Sequence, residues 1–173
     1  MEKRRILLLS FLMITVALAI SNVSPTLNYF EFYRALQEIF IEINEFNIKI
    51  EENILNVTVN FTLTNPTGYT GIKVRSLRYI IYFQYGEGTP VKLLEGEFLW
   101  NSQEGIPFNA YTNITCSQSH TLTTTSAAAS QLIQHLDSEI FWTIQSMTIL
   151  HTFTGSVIVP LNSVTPHNVI ISK

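Results

Sequence analysis

Between Leu55 and Thr64 the chain alternates without a fault: Leu55, Val57, Val59, Phe61 and Leu63 are apolar, and the residues between them, Asn56, Thr58, Asn60 and Thr62, are polar. Successive side chains of an extended strand point to opposite faces, so this run predicts a strand with one face in a core and the other in water. Phe46, Ile48 and Ile50 alternate with Asn47 and Lys49 just upstream, and Glu51-Glu52-Asn53 is a tight link that makes the pair an antiparallel hairpin. Asn65-Pro66-Thr67-Gly68-Tyr69 then ends the second strand, since proline has no N–H for a ladder and glycine accepts positive φ.

Farther on, Ile72 and Val74 share one parity while Leu77, Tyr79, Ile81 and Phe83 share the other, and the slip near Ser76 reads as a β-bulge. Gly86-Glu87-Gly88 is a turn. Val91 to Trp100 and Phe108 to Cys116 follow as strands, with a weaker one over Thr121 to Thr125. Ser126 is placed to cap a helix from Ala127 to Asp137, whose Ala128, Leu132, Ile133 and Leu136 fall on one face. Strand patterning resumes at Ile140, Trp142 and Ile144, changes parity at Ser146, and continues through Met147, Ile149 and Phe153 to a turn at Gly155 and a last strand over Ser156 to Leu161. Short strands at this spacing predict a mainly β protein: an antiparallel β-sandwich of about seven strands, immunoglobulin- or fibronectin-III-like, with one short helix.

The N-terminus has a different pattern. Glu2-Lys3-Arg4-Arg5 precedes Ile6 to Ile20, interrupted only by Ser10 and Thr15, which is the basic region and apolar run of an export leader helix. Ala17-Leu18-Ala19 offers a small-x-small cleavage site, so residues 1–23 read as a signal peptide or a membrane anchor, with a buried core helix as the plain alternative. Ser24-Pro25 is expected to break the leader, and Leu27, Phe30, Tyr33 and Leu36 give residues 24–44 the look of a linker or short helix. The sandwich is then expected over 45–164 and a tail over 165–173. Because basic residues stay on the cytoplasmic side, the remainder is expected outside the cytoplasmic membrane, secreted or anchored. No cysteine lies near the leader, which removes a lipid-anchored lipoprotein.

Composition narrows the function classes. Charged residues make up only 13% of the 173, against about 25% in ordinary globular chains, and 46% are hydrophobic. A single cysteine excludes a disulfide scaffold. The net charge is −3, and removal of the leader would leave 7 basic and 12 acidic residues, which speaks against nucleic acid as a partner.

No G-x-G-x-x-G, G-x-x-x-x-G-K-[ST], H-E-x-x-H or G-x-S-x-G occurs. His120, His135, His151 and His167 are far apart without ligand spacing, so no metal, cofactor or catalytic residue is expected, and the chain is read as not an enzyme. His151 reads as a core or edge histidine and Cys116 as a small core hydrophobe with a slow thiol. An enzyme would need His120 or His151 within reach of a Ser or Asp in a pocket. Sequons stand at Asn22, Asn56, Asn60 and Asn113, and the parity of Asn56, Asn60 and Asn113 turns them outward, where glycans have room. Lys73, Arg75 and Arg78 also face outward near Ile80 and Tyr82: a contact patch for an anionic or aromatic-bearing partner, or a solvated face that discourages edge pairing.

Asn53 to Phe83, NILNVTVNFTLTNPTGYTGIKVRSLRYIIYF, runs from an alternating strand through Asn65-Pro66 to a strand with Leu77-x-Tyr79; Ile106-Pro107, the Ser126 to Ala129 helix start and Gly155-Ser156-Val157-x-Val159-Pro160 follow in order. This layout resembles the late embryogenesis abundant group 2 proteins, also described as the water stress and hypersensitive response domain. Ser146 departs from it, standing where that family's glycine is expected. The resemblance implies a seven-stranded sandwich linked to desiccation and related stress, without known catalysis. The expectation is therefore a non-enzymatic binding module for an unknown protein or cell-surface partner; the alternative is a subunit of a surface assembly joined by strand addition through residues 27–43.

Overall fold

A computed structural model describes residues 2–100, 105–166 and 169–172. Two helices and nine strands follow one another as α1 (Glu2–Glu38), β1 (Phe40–Glu51), β2 (Ile54–Asn65), β3 (Ile72–Tyr85), β4 (Val91–Leu99), β5 (Ile106–Phe108), β6 (Thr112–Thr123), α2 (Ala127–Gln134), β7 (Ile140–Thr152), β8 (Gly155–Val164) and β9 (Val169–Ser172). The strands form a four-stranded sheet, β6-β2-β1-β9, and a five-stranded sheet, β4-β3-β7-β8 with β5 beside β3. The protein is a β-sandwich preceded by an apolar helix, as the alternation predicts.

Both inner faces come from the expected rows. Leu55, Val57, Val59, Phe61 and Leu63 of β2 are buried, as are Leu77, Tyr79, Ile81 and Phe83 of β3. Ring pairs join the layers: Phe46 meets Trp142 edge-on at 5.0 Å between centroids, and Phe61 meets Tyr79 in a tilted pair at 4.7 Å. The β1–β2 hairpin turns at Glu52-Asn53, with Glu51 opposite Ile54. The inferred bulge in β3 is present as a register shift between Val74 and Ser76 against β7. Ser126 caps α2, its hydroxyl accepting from the Ala129 N–H at 3.4 Å. Ala129 and Leu132 are buried beneath that helix, which ends at Gln134, short of Asp137.

Several expectations need correction. Ser24-Pro25 does not end the leader, because α1 is one helix of 37 residues. An internal proline forfeits one backbone bond and costs about 3 kcal/mol; the helix continues through it, and its last turns dock on the sandwich with Phe32 and Ala35 buried. Residues 27–43 are no donor strand: they complete α1 and enter β1, where Phe40 to Ile43 pair with Leu63, Thr64 and their neighbours on β2. The segment taken as a tail contains β9, which pairs in parallel with Phe46 to Lys49. His167 lies outside the described residues.

Phe108 to Cys116 is not one strand. β5 belongs to the five-stranded sheet and β6 to the other, and the chain crosses between them at Asn109 to Tyr111. β6 in turn absorbs the separate strand expected at 121–125. Finally, β7 keeps one parity throughout. Trp142, Ile144, Ser146, Thr148, Leu150 and Thr152 all face inward, and Met147, Ile149 and His151 face out. Polar inner residues disguised this. The Thr148 hydroxyl is satisfied by donating to the Ser76 carbonyl at 3.0 Å, so a hydroxyl sits in the core where an apolar residue was expected.

Candidate functional site

The crossover between sheets is organised by one side chain. Asn65, fully buried at the end of β2, donates through Nδ2 to the carbonyls of Tyr69 at 3.0 Å, Asn109 at 3.1 Å and Phe108 at 3.4 Å. Its Oδ1 accepts from the Thr67 N–H at 3.1 Å and the Thr67 hydroxyl at 2.7 Å. The β2–β3 loop and the β5–β6 crossover are thereby held together. Asn65-Pro66 reads in sequence as a turn signal; its link to a segment more than 40 residues away, at Asn109, has no local signature.

A second polar group lies between the sheets. The Tyr79 hydroxyl donates to Gln118 Oε1 at 2.9 Å and lies 2.6 Å from His120 Nε2, while Gln118 Nε2 donates to the Glu97 carbonyl at 3.2 Å. With its one proton directed at Gln118, the tyrosine oxygen accepts from an Nε2–H tautomer of His120. Burial lowers the His120 pKa below its ordinary value and raises that of Tyr79. Gly96 is required here: a Cβ at that position would strike the Tyr79 ring and His120 Nε2. Neither serine nor aspartate joins His120 in this group. His151 is half-exposed on the outer face, 3.4 Å from the Ser156 hydroxyl, rather than in the core. Burial pushes the Cys116 thiol up to about 11, in keeping with a core cysteine facing Phe61 in register. Among the described residues no three His, Cys, Asp or Glu side chains converge as a metal site.

The two outer faces differ in kind. On the four-stranded sheet β6 presents Asn113, Thr115, Ser117, Ser119, Thr121 and Thr123, and the outward side chains of β2 are also hydroxyls and amides. Many are bonded in cross-strand pairs: Thr58 to Ser119 at 2.8 Å, Thr121 to Asn56 Oδ1 at 2.8 Å, and Asn44 to Thr62 at 2.6 Å. Of the outward sequons, Asn113 is exposed, Asn56 is half-buried in its bond to Thr121, and Asn60 is half-buried with Nδ2 donating to the Glu45 carboxylate. Asn22 lies within α1.

The five-stranded sheet bears the basic strip and apolar side chains together. Arg75 and Arg78 are exposed and Lys73 half-buried, all on β3, with Ile80 and Tyr82 half-buried beyond them. They are strung along one strand rather than gathered, and Arg78 is bonded to Glu97 of β4 at 2.8 Å. Phe141, Met147 and Ile158 are exposed on the same sheet. A cavity of about 310 Å³ opens between these rows, lined by Arg78, Ile80, Glu95, Gln145, Met147 and Pro160 among others. A shallower depression of about 510 Å³, lined by Asn44, Glu45, Asn60, Thr115, Cys116 and Ser117, marks the other sheet.

No family model matches the chain, and no curated protein matches it. Among solved structures, it is similar to a protein from Bordetella pertussis described as ApaA, with 12% identity and a TM-score of 0.45, covering 75% of this chain and 92% of that one. A protein from Archaeoglobus fulgidus is similar at 11% identity and a TM-score of 0.43, over 76% of this chain and 97% of its own. A beta-glucosidase from Listeria innocua aligns with 77% of this chain but only 16% of its own, at a TM-score of 0.32.

Proposed function

We propose that the chain is a membrane-anchored, non-enzymatic β-sandwich, displayed outside the cytoplasmic membrane, that binds a protein or surface component on the outer face of its five-stranded sheet. The observation that carries the binding part is on the five-stranded sheet: Ile80 and Met147 line a cavity with Arg78 and Glu95, and Phe141 and Ile158 are exposed elsewhere on the same face, while β2 and β6 of the other sheet turn mainly hydroxyls and amides outward. Apolar surface rimmed by charge is what recognition uses, and solvated Ser/Thr rows are not. A partner with aromatic or aliphatic groups and an acidic rim fits best, Arg75 supplying the free end of the basic strip.

Anchoring is favoured over cleavage by α1 itself. The helix is long and apolar enough to cross a bilayer, its apolar stretch is unburied, and it runs unbroken past Ala17-Leu18-Ala19 into turns docked on the sandwich. Lys3, Arg4 and Arg5 then keep the N-terminus inside and the sandwich outside. The stress-associated setting of the late embryogenesis abundant resemblance agrees with an envelope-exposed binding module and remains part of this reading.

Site-specific photo-crosslinking in intact cells tests it. Full-length protein carrying the crosslinker at Met147 or Tyr82 should give a discrete adduct, weakened by Arg75→Glu with Arg78→Glu, and the crosslinker at Thr121 should give none. Equal labelling from both faces, or protein released from membranes by alkaline carbonate, overturns the reading.

A further inference from the structure

α1 meets the sandwich at the end where β1 begins, and the loops closing that end turn large rings into solvent. Tyr111, at the β5–β6 crossover, is 76% exposed and Phe153, at the β7–β8 turn, is 62% exposed. Tyr111 holds a φ of 52°, a left-handed conformation that bulky residues avoid, fixed by its N–H donating to the Thr67 carbonyl at 3.1 Å. Its ring is thus kept at the loop tip by the fold. On α1, Tyr29, Phe30 and Tyr33 are also exposed. Helix and sandwich rings are continuous: Phe153 stands 4.9 Å from Phe32 and 6.4 Å from Tyr29, and Tyr29 stands 4.9 Å from Tyr33.

Length arithmetic says what covers them. From Ile6 to Pro25 the helix rises about 30 Å, the thickness of a hydrocarbon core. Tyr29 to Tyr33 then lie roughly 6 to 12 Å farther on, in the headgroup layer, where amphipathic rings gather in membrane proteins. Tyr111 and Phe153 belong to the sandwich yet sit at this level because they border the same helical turns. Arg34 is tied to Glu38 at 2.8 Å and lies 3.9 Å from Glu31, so the belt has no unbalanced positive charge from that residue to select anionic lipid.

We propose that this aromatic end of the sandwich, Tyr111 and Phe153 together with Tyr29, Phe30 and Tyr33, is seated in the outer interfacial layer of the bilayer that α1 crosses. The domain is then held against the lipid surface in a fixed attitude, with the outer face of the five-stranded sheet turned sideways along the membrane. This rests on the anchored reading of α1.

The test uses the full chain with Cys116→Ala, reconstituted in phosphatidylcholine vesicles and spin-labelled at one introduced cysteine: Leu12→Cys in the span, Tyr111→Cys and Phe153→Cys at the rim, or Glu87→Cys in the turn at the far end. Collisions with a water-soluble nickel chelate and with oxygen are compared. The expected result is that labels at 111 and 153 meet the chelate several-fold less often than the label at 87, approaching the shielding at 12. Shielding at 12 with 111 and 153 as open as 87 overturns the seating and leaves the anchor standing. Free chelate access at 12 overturns both. Tyr111 has few neighbours, so its variant reads out even if Phe153→Cys loosens the contact with Phe32.

Discussion

The two sheets of this sandwich bury similar surfaces and expose dissimilar ones. On the four-stranded sheet, outward Thr58, Ser119, Asn56 and Thr121 bond in pairs across the ladder and keep β2 and β6 wet, with Ile170 of the edge strand β9 an exposed apolar side chain there. On the five-stranded sheet, outward Phe141, Met147 and Ile158 leave apolar surface in contact with water beside Arg75 and Arg78. A hydrophobic residue contributes stability by leaving water, so those positions add little to the fold and are accounted for by what they can touch. Under the proposed function the difference separates two jobs, the wet sheet supporting the core from one side and the five-stranded sheet meeting the partner.

The comparison presumes one cooperative body, and the largest expected effect tests that presumption. Asn65→Ala would remove the side-chain partners of the Thr67 N–H and of the Tyr69 and Phe108 carbonyls, while the Asn109 carbonyl keeps the Thr112 hydroxyl. Each orphaned group costs about 1–3 kcal/mol, so a loss of about 4 kcal/mol or more is expected in chemical denaturation, a large share of a domain's total stability. Fluorescence of Trp142, in the five-stranded sheet, and a probe on β6, in the other, should lose structure together. Two separated transitions would mean that the sheets unfold independently and that Asn65 only shapes a loop.

Next in size is the facing of β7. Leu150 is fully buried, so Leu150→Ala should cost about 3 kcal/mol, whereas Met147→Ala, at an exposed position, should cost less than about 1 kcal/mol. The reverse order would return Met147 to the core. Sequence alone pointed to that reverse order, and the reason is the contrast between the sheets. β2 was legible because only one of its rows is apolar. β7 was not, because outward Met147 and Ile149 and the following Phe153 are apolar while Ser146, Thr148 and Thr152 interrupt an inner row of Trp142, Ile144 and Leu150. Alternation reports which row is greasier locally, and over residues 146–149 of β7 the greasier row is the outer one. The bulge near Ser76 was readable because both flanking rows of β3 are unmistakably apolar. Asn65's reach to Asn109, the split of Phe108 to Cys116 between sheets and the rings at Tyr111 and Phe153 depend on long-range pairing, which periodicity does not encode.

A smaller effect marks the polar group between the sheets. Burial lowers the pKa of His120 below 6.5, so the unfolded chain binds a proton there more readily than the folded one. Stability from this group is therefore complete well above pH 6.5 and declines as pH falls through 6.5 toward the folded value. His120→Gln should flatten that part of the profile measured by denaturation at a series of pH values. An unchanged slope would show that His120 titrates as freely in the folded state as in the unfolded one and that the inter-sheet group is open to water.

The smallest effect belongs to the wet face. Thr58 and Ser119 meet at 2.8 Å on exposed strands, and each hydroxyl released from this bond finds water at once. A double-mutant cycle with Thr58→Val and Ser119→Ala should therefore give a coupling of no more than about 0.5–1 kcal/mol, within the range of cross-strand pairs. Neither single change should alter crosslinking from Met147 on the other sheet. A coupling well above this range would mean that the hydroxyl rows are a rigid, water-excluding array, and a loss of the Met147 adduct would mean that the face called inert takes part in binding. Either outcome would remove the proposed division of labour between the sheets, because the hydroxyl rows would then present a specific surface of their own.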